Sequence, residues 1–206
     1  MLTRRTLLTT LGAACASPAL AAQRTDGGAL VRAARLQIGV TKEYDHAYRT
    51  LAYPGGDVPQ KTGVCADVIV RAARTAWKLD LQRLVHEDMQ RDFAAYPTRW
   101  GLKAPDPNID HRRVPNLETF LTRRGAQVWH ADKHTGGASF PPQLQPGDIL
   151  TWRSFPTGGP HIAIVSRGGA WPKIIQNHGW GTREDWLIQQ WLDSAEGHFR
   201  WRPVQS

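Results

Sequence analysis

The stretch His161-Ile162-Ala163-Ile164-Val165 limits the possible folds more than any other part of the chain. After its first residue it is apolar at every position, so both faces of the strand it forms must be covered. Gly158-Gly159-Pro160 just before it is a loop that launches the strand. Other strand signals surround it. Pro146-Gly147-Asp148 is a turn leading into Ile149-Leu150-Thr151-Trp152, and residues 173–177 read as the next strand. Residues 127–129 are short and alternating, and 198–201 read as a closing strand. Residues 184–192 read as helical.

The first half carries a different period. Residues 29–38 predict a helix ended by Gly39, and 44–64 read as loop, with Pro54, Gly55, Gly56 and Pro59 as breakers. A strong helix opens at Cys65. Its apolar stripe is Cys65, Val68, Ile69, Ala72 and Ala76, and its polar face is Asp67, Arg71, Arg74 and Lys78. Asp80 is placed to cap a third helix that buries Leu81, Leu84, Val85, Met89 and Phe93. Asn116 is placed to cap a short helix through Leu121, stopped by Gly125. Helices first and antiparallel strands second predict an α+β fold.

The N-terminus reads as an export signal rather than part of that fold. Arg4 and Arg5 precede an apolar and small-residue core, Pro18 breaks it, and Ala19-Leu20-Ala21 offers small residues for cleavage near Ala21. Thr3-Arg4-Arg5-Thr6-Leu7-Leu8 also fits a twin-arginine signal, so both export routes stay open. Gly12 stands where a lipobox requires Leu, which disfavours lipidation of Cys15. Residues 22–206 are then one exported domain, periplasmic or extracellular. No later run of about 18 apolar residues exists to form a membrane span. Loss of the leader lowers the formal charge of +8 by two. A basic exported protein suits an anionic wall polymer, and no arginine-rich arm, zinc-ligand spacing or helix-turn-helix pattern argues for nucleic acid.

With the leader gone, Cys65 is the one cysteine left, unable to form an internal disulfide. It opens a helix, where partial positive charge and unpaired N–H groups stabilise a thiolate and an oxyanion. That position predicts a depressed thiol pKa. His161 opens a rigid strand and is the candidate base. Asn177 on the following strand is the preferred residue to orient its ring, with Gln176 the alternative, since neighbouring residues leave a strand on opposite faces. His86-Glu87 resembles a zinc-protease motif, but Gln90 stands where the second His belongs, so no metal or other cofactor is expected.

These residues carry a resemblance. Gly147-Asp148-Ile149-Leu150-Thr151-Trp152 followed by His161-Ile162-Ala163-Ile164-Val165 resembles the strand pair of NlpC-type and CHAP-type peptidoglycan hydrolases, and Ile175-Gln176-Asn177-His178-Gly179-Trp180 resembles the last active-site strand of the CHAP branch. Nearly the whole chain after the leader resembles a family of exported bacterial proteins known as domain of unknown function 1287. The segments carrying this are Tyr53-Pro54-Gly55-Gly56-Asp57-Val58-Pro59, Gly63-Val64-Cys65-Ala66-Asp67-Val68, Val85-His86-Glu87-Asp88-Met89, Asn108 through Leu117, and Gly197-His198-Phe199-Arg200. The resemblance implies a papain-like fold, helices packed on an antiparallel sheet. It also implies a Cys-His hydrolase acting through an acyl-enzyme on a cell-wall peptide. A thiol acyltransferase and a non-catalytic wall-binding protein with a degenerate site are the alternatives. Arg112 or Arg113 is the candidate receiver of a substrate carboxylate. Asp67, Tyr53, Trp152 and Trp180 complete the candidate binding residues.

Overall fold

A computed structural model describes residues 26–131, 140, 143–154 and 156–204. The predicted leader lies outside the described residues. Helix α1 (Gly27–Arg35) starts two residues earlier than its apolar stripe suggests, because the Asp26 carboxylate caps it by accepting from the amides of Gly28 at 2.8 Å and Ala29 at 3.0 Å. Helix α2 (Cys65–Trp77) opens at Cys65 as expected and leaves through Lys78 in a left-handed conformation. Asp67 in its first turn accepts from the Val64 amide at 2.6 Å. Helix α3 (Leu81–Arg91) is capped by Asp80, as its sequence predicts.

Helix α4 (Val114–Arg123) begins before Asn116, with Pro115 in its first turn. Asn116 is therefore not a cap. Its buried Nδ2 donates to the Asp110 carbonyl at 3.2 Å, tying the helix to the preceding segment.

Two short strands, β1 (Glu43–Tyr44) and β2 (Thr62–Gly63), pair in parallel at the two ends of the segment expected to be loop. The main sheet contains β3 (Gln127–His130), β4 (Ile149–Ser154), β5 (Gly159–Arg167), β6 (Lys173–Asn177), β7 (Thr182–Trp186) and β8 (Ser194–Phe199). Their order is β3-β8-β4-β5-β6-β7, and every neighbouring pair is antiparallel. The fold is α+β, and β5 is central as predicted. Two expectations are corrected. Residues 184–192 are not a helix: Glu184 and Asp185 pair with Ile175 and Ile174, and only a 3-10 turn follows at Leu187–Gln190. Tertiary partners decide this, since Glu184 also accepts from Ser166 at 2.6 Å and Arg35 at 2.8 Å. The last strand starts at Ser194 and inserts between β3 and β4.

The two faces of the sheet bury different cores. Ile149, Ile162, Ile164, Ile175 and Phe199 pack with helix residues including Leu30, Cys65, Ile69 and Phe120. Leu150, Trp152, Ala163, Val165 and Ile174 pack with Leu144 and Leu187 on the other face. The double-sided burial is what the run after His161 requires. Among the described residues, no helix is long and apolar enough to cross a membrane.

Candidate functional site

Cys65 is the first residue of α2 and is buried. The turn of β2 and Val64 into the helix sets its Sγ beside hydrogen-bond donors. The Tyr44 hydroxyl, carried on β1, donates to it at 3.7 Å, and the backbone amides of Ile162 and Ala66 act with it to favour the thiolate. Burial pushes the thiol up to about 11, against the lowering effect of Tyr44 and the Ile162 amide. The expectation of a depressed thiol pKa is therefore corrected: loss of water outweighs the helix terminus and its donors. Sequence reasoning missed Tyr44, because its partner lies 21 residues away and only the β1–β2 pairing joins them.

His161 lies on the same strand as Ile162 but does not bond to the thiol. Its partner across β4 is Trp152, on which its ring lies at 4.8 Å between centroids. It therefore leaves β5 on the face opposite Ile162, and no hydrogen bond, ion pair or ring contact joins it to Cys65. Its Nε2 meets Gln176 Oε1 at 3.1 Å, and the His178 ring stands edge-on at 4.5 Å. Burial first, and the nearby His178 second, push His161 down to about 3, while Gln176 opposes them. Thiol and imidazole are thus both neutral near pH 7.

Asn177, the preferred orienting residue, does not touch His161. Strand alternation turns it to the helix side, where its Nδ2 donates to the Gly63 carbonyl at 3.0 Å, beside the thiol. Gln176, the alternative, is the residue on the imidazole.

The candidate binding residues divide further. A cleft of about 290 Å³ runs past Cys65, lined by Tyr44, His46, Arg99, Trp100, Arg112, Arg113 and Pro160 among others. Only Arg112 and Arg113 of the six candidates line it. Arg112 is committed elsewhere: its Nε and Nη2 donate to Asp67 at 2.9 and 3.0 Å, and both side chains are buried. Asp67 is therefore a structural partner and not a surface ligand. Arg113 is paired with Asp110 at 3.0 Å and lies over the Trp100 ring, with its guanidinium 4.2 Å from the centroid. Arg99 reaches the same ring at 5.6 Å. Trp152 is fully buried in the far-face core and cannot contact a ligand. Tyr53 packs edge-on against His86 at 5.1 Å, away from the cleft lining. Trp180 is highly exposed and lines a different depression with Gln176, His178 and Asp185. Arg99, Trp100 and His46 were missed, since nothing in their local sequence marks a cleft wall. Among the described residues, no cluster of His, Cys, Asp and Glu is arranged to hold a metal.

Comparison with known proteins gives the following. The family described as "Domain of unknown function (DUF1287)" matches residues 31–201. A protein of Escherichia coli (strain K12) described as "Uncharacterized protein YijF" is 49% identical over 176 residues, covering 84% of this chain and 80% of that protein. Two solved structures are similar: NlpC1 from Trichomonas vaginalis, with TM-score 0.44 and 11% identity, and NlpC2 from the same organism, with TM-score 0.42 and 14% identity. Each covers 87% of this chain, and the chain spans only 45% and 47% of theirs.

Proposed function

The chain belongs to the family described as Domain of unknown function (DUF1287), and on that premise we propose that it is an exported thiol hydrolase that cleaves an amide bond of a cell-wall peptide at Cys65. The observation carrying this reading is the sulfur itself. It sits at a helix N-terminus beside a tyrosine hydroxyl and a strand amide, next to a cleft walled by Arg99 and Arg113. Two guanidinium groups on an aromatic ring suit a carboxylate-bearing peptide.

In this reading His161 Nδ1 takes the thiol proton as Sγ attacks the amide carbon. The Cys65 amide and the Tyr44 hydroxyl receive the oxyanion. The C–N bond breaks as the imidazolium returns its proton to the leaving amine. Water then attacks the thioester, yielding a carboxylate and the free thiol. Thiol and imidazole are unbonded and neutral, and His161 leaves β5 on the face opposite Ile162, so this step requires the imidazole to turn toward Cys65 when substrate binds. Mass spectrometry of defined muropeptides incubated with the protein, beside Cys65→Ala and His161→Gln controls, tests the reading. Products gaining the mass of water, lost in both variants, support it. Products joined to a second amine show an acyltransferase.

The missing bond between His161 and Cys65 favours a second reading, a non-catalytic wall-binding protein. Retention on insoluble peptidoglycan, undiminished by Cys65→Ala and without soluble products, would decide for it.

A further inference from the structure

We propose that Asp185 is a positioning residue that fixes the tautomer of His161 by orienting the side-chain amide of Gln176. This rests on the reading of His161 as the base for Cys65, but its central claim is structural and is tested separately. Three side chains form the relay. Gln176 on β6 and Asp185 on β7 lie on one face of the sheet, because Asp185 pairs with Ile174, two residues from Gln176. Gln176 Nε2 donates to Asp185 Oδ2 at 3.1 Å, and Gln176 Oε1 faces His161 Nε2 at 3.1 Å.

The direction of this chain follows from donor and acceptor chemistry. A carboxylate only accepts, so the NH₂ end of Gln176 must face Asp185. The amide oxygen is then left for His161, and it also only accepts. The imidazole must therefore carry its proton on Nε2. Its lone pair is then on Nδ1, the nitrogen a base requires. A flipped Gln176 amide would set its oxygen against the carboxylate and its NH₂ against the ring, reversing the tautomer. Asp185 selects between the two states, much as a buried carboxylate fixes the histidine of a serine triad. Burial keeps His161 neutral, so a tautomer rather than a charge is what the relay controls. Other groups share the depression with the relay: Arg183, with Nε 4.0 Å from Asp185 Oδ1, His178, whose Nε2 is 3.4 Å from Ser154 Oγ, and Asp193. The Gln176 amide is held by His161 and Asp185.

The test is ¹⁵N NMR of histidine-labelled protein near pH 7, with the His161 signals assigned by His161→Gln. In the parent protein His161 is expected as the Nε2–H form, with Nδ1 unprotonated. Asp185→Asn keeps size and shape but can satisfy either amide orientation. It is expected to raise the Nδ1–H population on the order of 10-fold, and to lower kcat only in proportion to the Nε2–H form lost, with KM little changed. An unchanged tautomer in Asp185→Asn, or an Nδ1–H or mixed His161 in the parent, overturns the proposal. A tautomer shift in a protein without Cys65-dependent turnover upholds the relay and sinks the hydrolase reading alone.

Discussion

At the residue scale, the decisive quantity is the balance between burial and donors at Cys65. The thiol is raised to about 11 although it opens a helix. Iodoacetamide alkylation of the native protein should therefore be slow at pH 7 and rise through a midpoint well above the ordinary value of about 8.5. Tyr44→Phe removes a donor to the thiolate, so the midpoint should move higher still. A midpoint below 8.5, or one that falls in Tyr44→Phe, contradicts this account. The paired strand residues give a second expectation. Gln176→Ala should reduce turnover on the order of 10- to 10³-fold, since it frees the tautomer of His161 without removing bond-making groups. Asn177→Ala should instead act on the Gly63 turn, measured as a lower Tm with a smaller effect on kcat. The sequence made the alternation legible, since residues 176 and 177 had to part to opposite faces. It did not tell which face His161 takes, because that depends on the register of Trp152 against His161.

At the element scale, α2 is held at its start by the buried pair of Asp67 and Arg112. One carboxylate binds the Val64 amide and both guanidinium donors, while Arg112 Nη2 also donates to the Asp45 carbonyl at 3.1 Å. The pair thereby ties the thiol-bearing helix to the segment after β1, close to Tyr44. Asp67→Ala leaves a buried guanidinium without its partner and should cost about 3–5 kcal/mol. The double variant Asp67→Ala with Arg112→Met should cost less than the sum of its parts. Urea unfolding of the two single variants and the double variant measures this, and additive losses would show that the two do not act together. From sequence, Asp67 is a polar-face residue and Arg112 a candidate ligand. Their 45-residue separation concealed that each exists to satisfy the other.

At the scale of the whole molecule, the fold buries neutral imidazoles. His161 is pushed down to about 3 by burial and then by His178, and His111 to about 4 by burial and then by Arg112. In the unfolded chain both titrate near 6.5. Above that pH neither state binds the proton and the two groups leave stability unchanged. As pH falls below about 6.5 the unfolded chain gains protons that the folded chain refuses, so stability declines steadily toward pH 4. The urea midpoint should fall over that range, and His111→Gln and His161→Gln should each flatten its pH dependence. An unaltered slope in both variants would show that other groups govern acid unfolding. The proposed export belongs to this scale too. Intact mass of the secreted product should give an N-terminus near Ala22 without lipid, and a diacylglyceryl group on Cys15 would contradict it.

Local periodicity alone determined the helix that opens at Cys65, the strand Lys173–Asn177 and the central strand after His161. The helix is specified by a helical stripe and the central strand by a run needing cover on both faces, demands met within a few residues of chain. Tertiary structure decided what depends on partners far apart in sequence. It made residues 182–186 a strand because β6 offered a ladder. It set β8 inside the sheet, withdrew Asp67 and Trp152 from any ligand, and brought Tyr44 to the sulfur. It also set His161 on Gln176 and Trp152. Residue type and spacing define which faces a segment has, but strand register and packing choose what each face meets.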